Sequence, residues 1–225
     1  MRRLMSSLIV IFCSLCLTVT GLIGAFSFLN PPFTALMLWR LPNGYGMEYS
    51  PLSIDQISSE LTHAVLTSED NNFCEHQGID WDAVILALNQ SRAENSPPRG
   101  ASTITMQTAK NLFLTPKRSY IRKLLEAPIA LVIDLFWSKR RIMEVYLNIA
   151  EWGPGIYGAE NAARTYFNRP ASELSRRQSA LLAAALPDPL LRNAAKPGPV
   201  TSATARRIEL RMAQTRGLFS CIDKL

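Results

Sequence analysis

Between Arg3 and Arg40 the chain carries no charged side chain. Within that interval lies "LMSSLIVIFCSLCLTVTGLIGAFSFL", residues 4–29. A helix that is apolar all round must be buried on every side or sit in lipid. This one is long enough to cross a hydrocarbon core of roughly 30 Å. Arg2 and Arg3 precede the run and no cation follows it closely, which places the N-terminus in the cytoplasm by the positive-inside rule. A cleaved signal peptide is the alternative, but its apolar region spans only about 7–15 residues before a small-x-small site. "GAFSFLNPP" is a poor site of that kind, so an uncleaved single-pass anchor is expected, with the body outside the cytoplasm. The anchor is expected to add nothing to the core of that body.

The chain divides into residues 1–29, a cytoplasmic N-terminus and transmembrane anchor; 30–52, a connector rich in Pro and Gly ("NPPF", "LPNGYG", "SPLS"); and 53–225, one domain. No internal repeat is evident, which argues against a solenoid. A net charge of +6 and a pI near 9.4 favour an anionic partner: nucleic acid, lipid headgroups or a phosphate-bearing substrate. Cys13 and Cys16 fall in the anchor, leaving Cys74 and Cys221 in the body. An oxidising compartment permits a disulfide between them, but their spacing leaves the pairing open. With only His63 and His76, no histidine-rich metal site is available, and no metal ligand set is expected.

Helical spacing dominates the body. Ser53 and Gln56 form a capping box, and Ile54, Ile57, Leu61 and Val65 continue a helix that runs into Glu69. A second helix fits "DWDAVILALNQSR", with Trp81, Val84, Ile85 and Leu88 on one face, and stops at the polar loop 94–102. The spacing resumes in "TITMQTAKNLF", "SYIRKLLEAPIALVIDLFW" and "KRRIMEVYLNIAEW", with Pro128 expected to kink or split the middle segment. "YGAENAARTYF" follows the breakers Gly153 and Gly155. Ser175 and Gln178 cap "SALLAAAL", which ends at Pro187 and Pro189, and a last helix covers about 203–216. Alternating β patterns are almost absent, so the expected fold is mostly α.

Several chemistries drop out. The lysines and arginines are dispersed and no finger, basic zipper or aromatic RNA motif is present, so nucleic acid is not expected as a partner. Phosphate-loop and dinucleotide glycine motifs are missing, as is the S-x-x-K of serine acyltransferases. Carboxylates among cations remain. Glu69 and Asp70 are adjacent, about 100° apart on a helix, so they cannot easily share one task. Lys110, Arg118, Arg122, Lys123 and Glu126 follow, and Arg122 with Glu126 at i,i+4 also fits a plain helix-surface ion pair. Glycosyl transfer from a diphosphate needs such a set: a carboxylate to deprotonate a sugar hydroxyl, and cations to stabilise the departing diphosphate.

The stretch "EDNNFCEHQGID" resembles the E-D-x-x-F-x-x-H-x-G-x-D signature of the bacterial peptidoglycan glycosyltransferases, glycosyltransferase family 51. "GASTITMQTAKN", "RKLLE", "KRRIMEVYLN" and "GPGIYGAENAARTYF" match further family blocks in order, and the resemblance covers about residues 55–190. With one anchor and no transpeptidase sequence after the domain, the chain is similar to the monofunctional biosynthetic branch. Met106 stands where many relatives carry a glutamine, Gln178 where Glu is frequent, and Asp188 where Asn is frequent; none removes a charged catalytic position.

The resemblance implies a lysozyme-like helical lobe with a small apolar, membrane-facing jaw, to which "WDAVILALNQSRAENSPPRG" contributes. It implies that Glu69 is the general base that deprotonates the 4-hydroxyl of the acceptor's N-acetylglucosamine. Asp70 would orient the loop, or a cation, beside it, and Phe73 and His76 would brace that loop. Glu126 would assist at the leaving group or hold the nearby cations. Lys110, Arg118 and Lys123 would bind the donor diphosphate with support from Arg122, and Ser102, Thr103, Gln107 and Asn111 would line the same cleft. The implied donor is a growing glycan chain on a polyprenyl diphosphate and the acceptor is lipid II, joined with inversion through a β-1,4 bond. No cofactor is required; a divalent cation such as Mg²⁺ at the diphosphate is the only candidate. Expected surroundings are the bacterial inner membrane, with the catalytic domain periplasmic and other cell-wall synthases as candidate partners.

Two rivals differ in class. A lysozyme-like hydrolase or lytic transglycosylase would use a glutamate acid on the same polymer, without need for the Lys110, Arg118 and Lys123 cluster. A non-catalytic membrane-anchored scaffold would tolerate loss of Glu69.

Overall fold

The computed structural model describes residues 2–97, 100–117, 119–215 and 217–222. Helix α1, Arg2–Phe26, contains the stretch Met5–Phe26, long and apolar enough to cross a membrane. Its C-terminal end packs on the body. Ile23 is 1% exposed and belongs to the main core, with Val19 and Phe26 packed beside it. Trp137 donates its indole N–H to the Ile23 carbonyl at 2.7 Å. Arg141 donates to the carbonyls of Phe26 at 2.9 Å and Leu29 at 2.7 Å, satisfying groups that the end of a helix leaves open. The expectation that this segment contributes nothing to the body is therefore corrected: one face of its last two turns, Val19, Ile23 and Phe26, packs into the core.

Residues 30–52 also do more than connect. Helix α2, Ala35–Arg40, is capped by Thr34 and buries Leu36 and Met37 against Tyr157. Strand β1, Glu48–Tyr49, then joins a small sheet with β2, Glu151–Gly153, and β3, Ile156–Tyr157, in the order β1-β3-β2. Asn148 fixes the connector to the body, accepting from the Leu52 N–H at 2.9 Å and donating to the Leu52 carbonyl at 2.7 Å.

The Ser53–Gln56 capping box is present, but it closes a 3₁₀ turn, Ile54–Gln56, rather than opening the long helix. Ile57 is extended there (φ −105°, ψ 137°), which breaks the expected continuity. Helix α3, Ser59–Glu69, starts after Ser58. Helix α4, Trp81–Glu94, is capped by Asp80, whose carboxylate accepts from the Ala83 N–H at 2.8 Å. Most of its apolar face is not core: Trp81, Ile85 and Leu88 are exposed, as is Leu86, whereas Val84 packs on the core and Ala87 is buried.

Helices α5, Ile104–Phe113; α6, Tyr120–Phe136; and α7, Lys139–Ile149, form one packed group, with α5 against both others. Pro128 does not split α6, which runs as one helix, and Ile121, Leu124, Leu135 and Phe136 on it stay exposed. Helix α8, Ala159–Phe167, follows the sheet. Helices α9, Arg176–Ala185, and α10, Pro199–Thr215, pack on α3, and the Ser175–Gln178 capping box opens α9 as expected. The body is mostly helical, in agreement with the lysozyme-like expectation.

Cys74 and Cys221 form a disulfide, joining the loop after α3 to the segment after α10. Phe219 and Ile222 of that segment are buried, and Phe219 meets the His63 ring with centroids 5.9 Å apart.

Candidate active site

Glu69 is the last residue of α3, and the chain must leave the helix at Asp70, which sits at φ −159°, ψ 80°. That exit turns the two neighbouring carboxylates to different work. Asp70 points inward, 7% exposed. It is bonded to His76 Nε2 through both oxygens, at 3.0 and 3.1 Å, and accepts the Ile104 backbone N–H at 2.8 Å. It thereby ties the start of α5 to the loop 70–80. Phe73 is fully buried beneath that loop, edge-on to His76, with the Lys139 ammonium 4.9 Å from its ring centre.

Gly78 explains the glycine of the motif. Its φ is +83°, and a Cβ there would lie 2.8 Å from the Ala130 carbonyl on α6. Its own carbonyl accepts from Thr103 Oγ1 at 2.6 Å, while the same hydroxyl caps α5 by accepting from the Met106 N–H at 3.1 Å. Thr103 is buried and holds the wall of the site. Met106 is 3% exposed and faces the core, so an apolar residue suits that place.

The Glu69 carboxylate opens into a cavity of about 230 Å³ shared with Asp70, Asn72, Asp80, Ser102 and Arg211. It accepts from Gln107 Nε2 at 3.0 Å and from Ser68 Oγ at 3.3 Å. Burial pushes its pKa up and the neighbouring Asp70 adds to this, while Gln107, Ser68 and the Lys110 ammonium pull the other way. The result is a carboxylate of raised basicity that retains hydrogen-bond donors for its ionised form.

On the far side of Gln107 lies a second cavity of about 270 Å³, reached by Lys110, Asn111, Tyr146, Asp188 and the Arg40–Glu151 ion pair. Burial raises the Glu151 pKa, and Arg40 opposes it. Tyr146 is almost wholly buried and donates its hydroxyl to Gln107 Oε1 at 3.0 Å.

The cations meet at the start of α6. Lys123 donates to Ser102 Oγ at 2.5 Å, which brings it to the rim of the Glu69 cavity. Burial, followed by the nearby charges of Arg122 and Lys110, lowers its pKa. Arg122 pairs with Glu126 and donates from Nε to the Lys117 carbonyl at 2.7 Å. Glu126 is 3% exposed and lies beneath both cations, 3.8 Å from Lys123 Nζ. That position suits holding the cations better than touching a leaving group, and it makes the Arg122–Glu126 pair more than a surface ion pair. Arg118 lies outside the described residues. Among the described residues no group of three or more His, Cys, Asp or Glu side chains could hold a metal ion.

Ser68, Tyr146 and Arg211 were not singled out from the sequence. Tyr146 lay inside the "KRRIMEVYLN" block, which was the one signal that could have drawn attention to it.

A basic glutamate in a polar cavity, with Lys123 at its rim and Lys110 reaching the cavity beside it, inside a helical body, suits acid–base chemistry on an anionic substrate. Residues 41–215 match the family model described as "Transglycosylase", and the chain belongs to that family. It is 45% identical over 223 residues to a protein of Rhodospirillum centenum described as a biosynthetic peptidoglycan transglycosylase, spanning 98% of this chain and 96% of that one. Proteins of the same description from Agrobacterium fabrum (47% over 191 residues, 85% of this chain and 84% of that one) and Brucella suis (48% over 191, 85% of each) are also similar.

Proposed function

We propose that the protein is a peptidoglycan glycosyltransferase that polymerises lipid II into glycan strands during cell-wall synthesis. Glu69 takes the proton from the 4-hydroxyl of the acceptor N-acetylglucosamine as that oxygen attacks the anomeric carbon of the lipid-linked donor. The bond from that carbon to the diphosphate oxygen breaks, the configuration inverts, and a β-1,4 bond forms. Polyprenyl diphosphate departs with the bonding electron pair, its charge met by Lys110, Arg118 and Lys123. Arg122 and Glu126 hold these cations in place, and Asp70, Phe73 and His76 hold the loop behind the base. Ser102, Thr103, Gln107 and Asn111 line the cleft. A divalent cation such as Mg²⁺, where one takes part, would help to neutralise the charge of the leaving diphosphate.

One observation carries the reading. Ser102 lines the Glu69 cavity and is bonded to Lys123, which supports a base and a cation acting on one substrate. A hydrolase acting on the diphosphate-free polymer has no use for those cations. The raised Glu69 pKa brings a base nearer to neutral pH, where proton transfer is most effective. The names of the relatives support the same activity.

Because both substrates carry long lipid tails, the enzyme works at the bacterial inner membrane with its N-terminus cytoplasmic and its catalytic domain periplasmic. The exposed apolar side chains of α4 and α6 form the jaw that meets the bilayer. Other cell-wall synthases working on the same strands are its natural partners. Incubating the purified full-length protein with labelled lipid II tests the reading. Polymer supports it; cleavage of preformed strands without polymerisation would favour a hydrolase; neither outcome would leave a scaffold.

A further inference from the structure

Gln107 stands between two buried groups. Its amide N–H donates to Glu69 Oε2 and its amide oxygen accepts from the Tyr146 hydroxyl, both at 3.0 Å. The two ends of a glutamine amide have the same shape, so only hydrogen bonds decide which way it faces. Turned over, Gln107 would aim its oxygen at a carboxylate oxygen, two acceptors face to face. We propose that Tyr146 is a positioning residue whose hydroxyl fixes the Gln107 amide, keeping its N–H on Glu69 and the carboxylate ready to accept a proton.

Tyr146 suits this task. It is 1% exposed on α7 inside the main core, so its hydroxyl has little freedom to move. Burial and the nearby carboxylates of Glu69 and Asp70 push its pKa well above 10, so it keeps its proton and remains a donor. The other charged groups around Glu69 are Asp70 beside it, Lys110 from α5, and Asp80 and Arg211, which line the same cavity. The buried face of α9, which packs on α3, is alanine, leucine and Ser179. Gln107 is therefore the neutral group best placed to tune the base, and Tyr146 is what orients it. The inference rests on Glu69 being the base of the proposed reaction.

The test is direct titration of the Glu69 carboxyl in the full-length protein, by infrared difference against Glu69→Gln, in parental and Tyr146→Phe backgrounds. The phenylalanine removes only the hydroxyl. The midpoint is expected to rise by about half to one pH unit, the scale of one weakened hydrogen bond. The acid limb of kcat/KM for lipid II should move up with it, a roughly threefold to tenfold loss on that limb and little change above it. Gln107→Met should raise the midpoint at least as far, and adding Tyr146→Phe to it should change nothing more. An unchanged midpoint in Tyr146→Phe or in Gln107→Met, or additive shifts in the double variant, would overturn the proposal, and the second of these does not depend on how well Tyr146→Phe folds. A protein that titrates as expected but makes no polymer would instead sink the glycosyltransferase reading alone.

Discussion

Replacing Cys74 and Cys221 together by serine opens the covalent loop that joins the segment after α10 to the loop behind Glu69. The two positions are 147 residues apart, so the crosslink removes much of the freedom of the unfolded chain. In the chain-entropy account a loop of that length corresponds to about 5 kcal/mol at 25 °C, and removal of native disulfides typically costs about 2–5 kcal/mol. The native state should change little. Phe219 and Ile222 are buried on their own account, and Arg140 donates to the Ile222 carbonyl at 2.6 Å. Asp70 keeps its bonds to His76 and Ile104, so the Glu69 cavity should survive. The double variant should therefore unfold in guanidinium with stability lower by about 3–5 kcal/mol. At roughly 2–4 °C per kcal/mol for a domain of this size, its Tm should fall by about 6–20 °C. Polymerisation at 25 °C should stay near the parental rate. Superimposable unfolding curves for the variant and the oxidised parent would refute the reasoning, and peptide mapping without reductant checks the bond itself.

Three further sets of variants test the same reading. Glu69→Gln should lower polymerisation by about 10²–10⁴, the usual worth of a general base, with a native circular-dichroism spectrum. Because the folded pKa of Glu69 is raised, its ionised form opposes folding, and stability is lost as pH rises from the unfolded value through the folded one. Glu69→Gln should thus be at least as stable as the parent at pH 7, and a lower Tm there would contradict the assignment of a desolvated carboxylate. Alanine at Lys110, Arg118 or Lys123 should weaken binding of a lipid-diphosphate analogue and slow turnover; unchanged affinity in all three would return these residues to ordinary surface charges. A chain beginning near residue 30 should polymerise lipid II in detergent but less efficiently on bilayers, where tethering concentrates enzyme with substrate. Loss of the buried Ile23, worth about 1.5–3 kcal/mol, should also lower its Tm by a few to about ten degrees, and a Tm equal to that of the full chain would show the end of α1 to be dispensable.

The sequence by itself determined what depends on local pattern. A charge-free run of membrane-spanning length predicts one long apolar helix whatever follows it, and α1 is that helix. Apolar residues at helical spacing define a helical body. The linear order of Glu69, Asp70, Phe73, His76 and Gly78 made the motif legible because Glu69 ends α3 and the other four lie on the short loop that follows it. Tertiary structure decided what depends on partners distant in the chain. Spacing could not say that Cys74 meets Cys221, that one face of the end of α1 packs into the core, or that the Ser53 box closes a 3₁₀ turn before a break at Ile57. Nor could it say that most of the apolar face of α4 stays bare, since periodicity shows that a stripe exists and not what covers it. The division of labour between Glu69 and Asp70 is of the same kind. It arises where α3 ends, because the exit of the backbone turns one carboxylate into the cavity and the other onto His76 and the start of α5, more than thirty residues away in sequence.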